Sequence, residues 1–233
     1  RLTDTVRGAT KSISSDSNAA EATESTGLTA FGTTGFTIGA DTDYNTNAAT
    51  YVSWTLREQP KFFDIVTYTG TGSATTIAHS LGVVPGCIMV RGTSAGTAGT
   101  SWRVYHRSLT SAAYTLVLNG SAAQQSEPSA WNSTAPTSTV FTVGTEISVN
   151  NLGDTYVAYL FAHDAGGFGL AGTDNVVSCG SFTTDGSGNA TVTLGYEPQW
   201  VIVKQTDAIG NWYMFDTMRE WSLSTEALLY ANL

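Results

Sequence analysis

Charge is scarce in this chain of 233 residues. Asp, Glu, Lys and Arg make up 12 % of the residues, about half of the roughly 25 % that is usual in soluble domains. The net charge is −9 and no basic run occurs, which argues against nucleic acid as a partner because phosphate binding needs clustered Lys and Arg. The acidic excess is spread thinly, so we interpret it as a contribution to solubility.

Cysteine and long apolar runs are also lacking. Cys87 and Cys179 lie in separate apolar stretches, which predicts two buried free thiols and no disulfide. No apolar run approaches the roughly 18 residues of a membrane-spanning helix, and no signal peptide is visible. The sequence therefore predicts no membrane partner.

Helical periodicity is hard to find, whereas strand signals are frequent. Runs of β-branched and aromatic residues, such as 87–91, 114–118 and 200–204, alternate with Gly, Pro and Ser turn signals. Only segments 8–27 and 219–230 carry enough Ala, Glu and Leu to predict one short helix each. The expected fold is all-β, a β-sandwich of jelly-roll-like type.

What the chain does have is an internal repeat. Leu81-Gly82-Val83-Val84-Pro85 returns as Leu194-Gly195-Tyr196-Glu197-Pro198, and Trp102 returns as Trp212. Other matching stretches keep the same order: 4–7 with 216–219, 17–21 with 120–124, 35–39 with 140–144, and 50–52 with 155–157. We predict two tandem homologous β-sandwich domains, residues 1–105 and 106–215, and the start of a third, truncated repeat at 216–233, as expected for a segment of a longer array.

The polar residues form no recognisable active site. His79, His106 and His163 lack the fixed partners of a catalytic or metal-binding histidine, so structural hydrogen bonds at strand ends are the favoured interpretation. Residues 41–45 begin like a calcium loop, but the twelfth position is Val52 and the required Gly is missing. A solvated turn is favoured there over a calcium site. We predict that the protein is not an enzyme and that it holds no metal or cofactor.

The aromatic residues divide into two groups. Four of them recur at equivalent positions of the repeat and are predicted to fill the core of each domain: Trp102, Trp212, Tyr51 and Tyr156. Trp131 and Tyr44 have no evident counterpart and lie in polar, loop-like surroundings. They are the predicted ligand-binding residues, because an exposed aromatic ring can stack on a sugar face.

A further signal comes from the stretches 50–54, 62–70, 79–86, 102–107, 132–138, 156–164 and 199–216. Together they resemble a repeat family in virion structural proteins of marine tailed bacteriophages, including phages of cyanobacteria. The resemblance covers nearly the whole chain and brings no catalytic residues with it. It implies a location in the virion, an extracellular particle, and other virion proteins as partners.

Three functions follow from these observations. The first is a structural and adhesive tail-fibre or appendage segment that contacts a host surface glycan or protein. The alternative is a capsid or tail decoration module without a host ligand, and the third is a polysaccharide depolymerase. We also expect a homo-oligomer, since uncovered strand edges invite pairing and symmetric assembly covers them. The resemblance to fibre proteins implies a trimer.

Overall fold

Antiparallel β-sheet makes up almost all the regular structure of the computed structural model, which describes residues 1–97, 99–219 and 228–233. The strands are β1 Lys11–Ser12, β2 Ala22–Thr23, β3 Leu28–Phe31, β4 Phe36–Ile38, β5 Phe63–Thr69, β6 Thr75–Ala78, β7 Cys87–Gly92, β8 Arg103–His106, β9 Tyr114–Val117, β10 Gln125–Ser126, β11 Val140–Val143, β12 Thr155–Phe161, β13 Trp200–Lys204, β14 Trp212–Asp216 and β15 Leu229–Tyr230. The described helices are α1 Thr42–Asn45, α2 Pro128–Trp131, α3 Ile147–Asn150 and two 3-10 turns, Ala95–Thr97 and Thr217–Arg219. The predicted all-β fold class is confirmed.

The helix predicted within residues 8–27 is wrong. This stretch holds β1 and β2, whose backbone groups pair across the hairpin, with Lys11 opposite Thr23. Thr10 has a φ of +66°, a left-handed conformation that interrupts a right-handed helix. The helix predicted at 219–230 falls mostly on residues outside those that the structure describes.

The largest sheet has six strands in the order β10-β9-β8-β7-β12-β5. Strand β12 lies between β7 and β5, and its Tyr159 is opposite Met89 on one side and Ile65 on the other. Side chains alternate between the two faces of the sheet. Both faces are buried along β12, whose residues 156–160 are all buried and apolar or aromatic.

One face of this sheet forms the core of a two-layer sandwich. Alternate residues of β12, namely Tyr156, Ala158 and Leu160, lie in a buried cluster with Phe141 of β11 and Trp131 of α2. Strand β11 pairs with β6 to form the second layer. We name the unit from β5 to β12 the central sandwich.

The other face of the sheet packs on the two flanking parts of the chain. Val157 and Tyr159 of β12 share a second buried cluster with Ile13, which precedes the central sandwich, and with Trp212 and Ala231, which follow it. We name residues 1–56 the N-terminal segment and residues 176–233 the C-terminal segment. Three separate parts of the chain therefore contribute to one hydrophobic core.

The predicted domain boundaries fall inside strands. Residues 105 and 106 both lie in β8, and residues 215 and 216 both lie in β14. The six-stranded sheet takes strands from both sides of residue 105. The strands that pack together therefore do not coincide with the residue ranges 1–105 and 106–215 that were predicted as domains.

Membrane-spanning helices are not found in the described ranges, where no helix is long and apolar enough to cross a bilayer.

Candidate functional site: the contacts between repeats

The strongest geometric feature of the molecule is that its hydrogen bonds repeat with its sequence. In the central sandwich, β8 pairs with β7 so that Val104 is opposite Met89. In the C-terminal segment, β14 pairs with β13 so that Met214 is opposite Ile202. The third strand repeats as well, because Arg103 is opposite Val117 and Tyr213 is opposite Tyr230. The sheets β7-β8-β9 and β13-β14-β15 therefore have the same register.

The N-terminal segment repeats the second half of the central sandwich in the same way. Asp41 caps α1 by accepting the Asp43 N–H, and Glu146 caps α3 by accepting the Ser148 N–H. The Gly39 N–H donates to Gly27, as Gly144 does to Ala130, at 2.7 and 2.9 Å. The Tyr51 hydroxyl bridges the ends of α1, and the Tyr156 hydroxyl bridges the ends of α3. Local sequence alone thus specifies the same backbone geometry twice.

The same interface also occurs twice between successive parts of the chain. The indole N–H of Trp102 donates across to the Ser14 carbonyl at 2.8 Å. The indole N–H of Trp212 donates to the Val117 carbonyl at 2.9 Å. In both cases the indole reaches back to the strand-like element of the preceding part of the chain. Both tryptophans are buried in the core, as predicted. In addition, they join neighbouring repeats.

Backbone hydrogen bonds reinforce each tryptophan contact. Gly99 donates to Asn18 at 2.8 Å, and Gly210 donates to Ser121 at 2.9 Å. A further pair runs in the opposite direction: Glu21 to Thr93 at 3.1 Å and Gln124 to Thr206 at 2.8 Å. Residues 17–21 match 120–124 in the sequence, but the match alone does not place these residues at an interface. The recurrence of this stretch ahead of each tryptophan was the signal that could have identified it.

A paired Asp and Arg also recur, and in the first copy they are buried. Arg7 donates from Nε to Asp4 Oδ2 at 2.6 Å, and Arg219 donates to Asp216 Oδ2 at 2.7 Å. The Tyr159 hydroxyl of the central sandwich completes the first pair by donating to Asp4 and accepting from Arg7. Burial opposes the charge on Arg7, but Tyr159, Asp4 and Glu21 outweigh it and raise the Arg7 pKa. This buried network fixes the N-terminal segment on the central sandwich.

Trp131, predicted to be an exposed ligand-binding residue, is buried. It ends α2, is 1 % exposed and lies edge-on to Tyr105 at 6.0 Å between ring centres. The polar residues around it in the sequence face solvent, while one turn of helix directs the indole into the sandwich core. An aromatic ring without an accessible face cannot stack on a sugar, so the expected exposure of Trp131 is wrong.

Tyr44, the other predicted ligand-binding residue, lies on α1 and is half-buried. Its hydroxyl bonds to Ser12 Oγ at 3.0 Å and to a Glu24 carboxylate oxygen at 2.8 Å. Burial is the main reason that the Tyr44 pKa is raised. Tyr44 lies in the N-terminal segment, whereas Trp131 lies in the central sandwich. The two residues make no contact in the part of the chain that the structure describes.

The three histidines make the strand-end hydrogen bonds that were predicted. His79 Nε2 lies 3.2 Å from the Thr137 carbonyl, His106 Nδ1 accepts the Ser108 N–H at 3.2 Å, and His163 Nδ1 accepts the Cys179 N–H at 3.1 Å. Burial, with help from Arg107 and His163, lowers the pKa of His106 to about 4. His106 is therefore neutral at physiological pH.

One open groove of about 350 Å³ is lined by polar and apolar side chains. Asp64, His79 and Ser80 all border it. The Asp64 carboxylate accepts the Ser80 backbone N–H at 2.6 Å. Among the described residues, no hydrogen bond joins the His79 side chain to Asp64 or to Ser80. The arrangement therefore lacks the base-to-nucleophile contact of a hydrolytic triad.

Residues 41–45 and the two thiols complete the sequence-based candidates. Residues 42–45 form the short helix α1, and no group of three or more potential metal ligands occurs in the described part of the chain. Cys87 and Cys179 are free and buried, as predicted. Burial raises the pKa of the Cys179 thiol to about 12, which makes it a poor nucleophile at neutral pH.

Comparison with known proteins identifies a family but no characterised relative. The whole chain, residues 1–233, matches the family described as "Domain of unknown function (DUF7483)". No curated protein and no solved structure matches the chain.

Proposed function

We propose that this chain, which belongs to the DUF7483 family, is a structural and adhesive component of a bacteriophage virion. In this role it is a segment of a tail fibre or appendage that contacts the host surface. The phage assignment derives from the sequence resemblance, and the structural role derives from the repeated interface.

The observation that carries the structural role is the tryptophan contact that occurs twice. An array of repeats needs an interface that each repeat can make with the one before it. Trp102 with Ser14 and Trp212 with Val117 are two such contacts with the same atoms and nearly the same length. Neighbouring repeats therefore pack directly, which suits a stiff extended part of a particle.

The composition of the surface suits adhesion by short-range contacts. With 10 basic and 19 acidic residues, the chain has little positive charge for binding an anionic polymer. Host contact would instead depend on hydrogen bonds from Thr, Ser and Asn and on exposed aromatic rings such as Phe31 and Phe36. Such contacts are weakly screened by salt, whereas phosphate-driven binding weakens steeply.

Gold-labelled antibodies raised against the purified chain would test the proposal on phage particles. Label at the tail fibres or another appendage is the expected result, and label over the capsid would favour the decoration module. Particles that carry the gene but bind no antibody, before and after mild disruption, would contradict a virion role. Release of reducing sugar from host envelope by the purified chain would instead support the depolymerase.

A further inference from the structure

We infer that Cys87 and Cys179 form an oxidisable pair, at which a peroxide links the central sandwich to the C-terminal segment through a disulfide. Cys87 begins β7 of the central sandwich, and Cys179 lies in the C-terminal segment. Both thiols are free and buried in the structure, which is that of the reduced chain. The modification goes beyond the proposed structural role and does not depend on it.

The fold brings together two cysteines that are far apart in the sequence. Cys179 packs on Gly86, the residue before Cys87. A Cβ placed on Gly86 would lie 2.6 Å from the Cβ of Cys179 and 3.1 Å from its Sγ, so a side chain at this position would push Cys179 away. The Cα of Cys87 is one peptide step of about 3.8 Å from that of Gly86. Disulfides join Cα atoms about 4.4–6.8 Å apart, and packing on the neighbouring residue is the approach that such a bond requires.

Both thiols lie on the same side of the six-stranded sheet, at the same point of β12. They belong to one buried cluster. Cys87 is opposite Phe161 in the ladder between β7 and β12, and the Sγ of Cys179 donates to the carbonyl of the next residue, Ala162, at 3.3 Å. A negative charge on Cys179 would raise the pKa of Cys87. The two sulfurs are therefore neighbours in the core.

The surroundings make Cys179 the thiol that reacts first. Burial raises the pKa of Cys179 to about 12, the Arg107 guanidinium opposes that rise, and Asp164 adds to it. Burial raises the pKa of Cys87 well above its usual range, and the neighbouring Cys179 raises it further. His163 accepts the backbone N–H of Cys179 at 3.1 Å and so holds it in place. Because the thiolate is the nucleophile, oxidation is slow at neutral pH and accelerates as the pH rises.

One molecule of hydrogen peroxide is sufficient for the reaction. The Cys179 thiolate attacks one peroxide oxygen, the O–O bond breaks, and a sulfenic acid and hydroxide form. The Cys87 thiolate then displaces hydroxide from the sulfenic sulfur, and the S–S bond forms. The two thiol protons combine with the two hydroxides to give water. The two electrons that the sulfurs give up reduce the peroxide.

Peroxide treatment of the purified full chain at about pH 8.5, where more thiolate is present, would test the inference. We expect the intact mass to fall by two hydrogen atoms, and a digest without reductant to contain one linked peptide that holds Cys87 and Cys179. Dithiothreitol should reverse both changes. A cross-link that closes a long loop constrains the unfolded chain, so the oxidised chain should unfold about 5–10 °C above the reduced chain.

The matched control moves the second thiol by one residue, with Ser178→Cys in a Cys179→Ser background. Ser178 Oγ donates to Asp164 and accepts the Tyr196 hydroxyl at 3.0 Å, so it is directed away from Cys87 and should form no internal link. The single variants Cys87→Ser and Cys179→Ser should gain oxygen without losing two hydrogens. The main measurement uses the unmodified chain, so a variant that fails to fold does not remove the test.

Three results would overturn the inference. The first is a folded chain whose thiols stay unchanged or gain oxygen without losing two hydrogens. The second is a disulfide that forms only between two chains, and the third is a Ser178→Cys control that links to Cys87 as fast as Cys179 does. None of these results alters the antibody labelling of particles, so the two proposals can fail separately.

Discussion

The central sandwich and the N-terminal segment have matching local structure but different burial. Phe141 is 1 % exposed and its counterpart Phe36 is 37 % exposed, while Tyr156 is 0 % and Tyr51 is 48 % exposed. The helix caps and the tyrosine hydroxyl bonds are nevertheless the same in both regions. Local sequence therefore determines backbone geometry, and burial depends on strands from elsewhere. Strand β6 pairs with β11 and covers Phe141, whereas β4 pairs only with β3 in the part of the chain that the structure describes.

The largest difference between the two regions should appear when the residue that ends α2 is truncated. Trp131→Ala removes a fully buried indole from the sandwich core and should lower the free energy of unfolding by about 3–5 kcal/mol. Its counterpart in the N-terminal segment is Leu28, which is only half-buried, so Leu28→Ala should cost about 1 kcal/mol. Urea unfolding at constant m value measures both changes.

The control for this comparison is Leu152→Ala, an exposed position where we expect a change within about 0.5 kcal/mol. Equal losses for Trp131→Ala and Leu28→Ala would mean that the N-terminal segment is as well packed as the central sandwich. A loss of host-cell binding in a Trp131→Ala protein of unchanged stability would restore its predicted role as a ligand-binding residue.

A smaller difference is expected at the paired tyrosines. The buried Tyr156 hydroxyl donates to the Ile147 carbonyl at 2.6 Å and accepts the Asn151 N–H at 2.7 Å. Tyr156→Phe leaves both groups without this partner and should cost about 1–3 kcal/mol. Tyr51→Phe removes the same two bonds at a position where water can replace them, so a change of at most about 0.5 kcal/mol is expected.

Thermal or urea unfolding of the two Tyr→Phe variants measures this contrast. If Tyr51→Phe were as damaging as Tyr156→Phe, residues 50–56 would already be covered in solution.

The sequence was sufficient for those features that each repeat specifies locally. The all-β class, the strand-end histidine bonds and the buried thiols follow from short patterns that do not depend on distant partners. The burial of Trp131 did not follow, because its counterpart Leu28 is aliphatic and the match was not seen. The three-part core did not follow either, since Ile13, Val157 and Ala231 are far apart in the chain and nothing local indicates that they meet.

The smallest change in stability at neutral pH is expected when His106 is substituted. At this position the central sandwich and the flanking segments carry different residues. The central sandwich has His106 where the flanking segments have Asp4 and Asp216, and it has Leu109 where they have Arg7 and Arg219. The flanking pairs are joined by ion pairs, whereas His106 has no acidic partner among the residues that the structure describes and is kept neutral mainly by burial.

Protonation of His106 should therefore destabilise the fold in a defined pH range. Its pKa is lowered from 6.5 to about 4 in the folded chain, so the unfolded state binds a proton first as the pH falls. The stability that neutral His106 contributes is complete above pH 6.5 and is lost progressively as the pH falls to about 4.

His106→Asn keeps an acceptor for the Ser108 N–H but does not titrate, so it should show a shallower loss of stability over this range while matching the unmodified chain more closely at neutral pH. The measurement is the urea midpoint at several pH values, with His79→Asn as the matched control, since burial lowers the His79 pKa but Thr137 and Asp64 oppose that effect. An identical pH dependence for His106→Asn and the unmodified chain would show that His106 titrates alike in the folded and unfolded states.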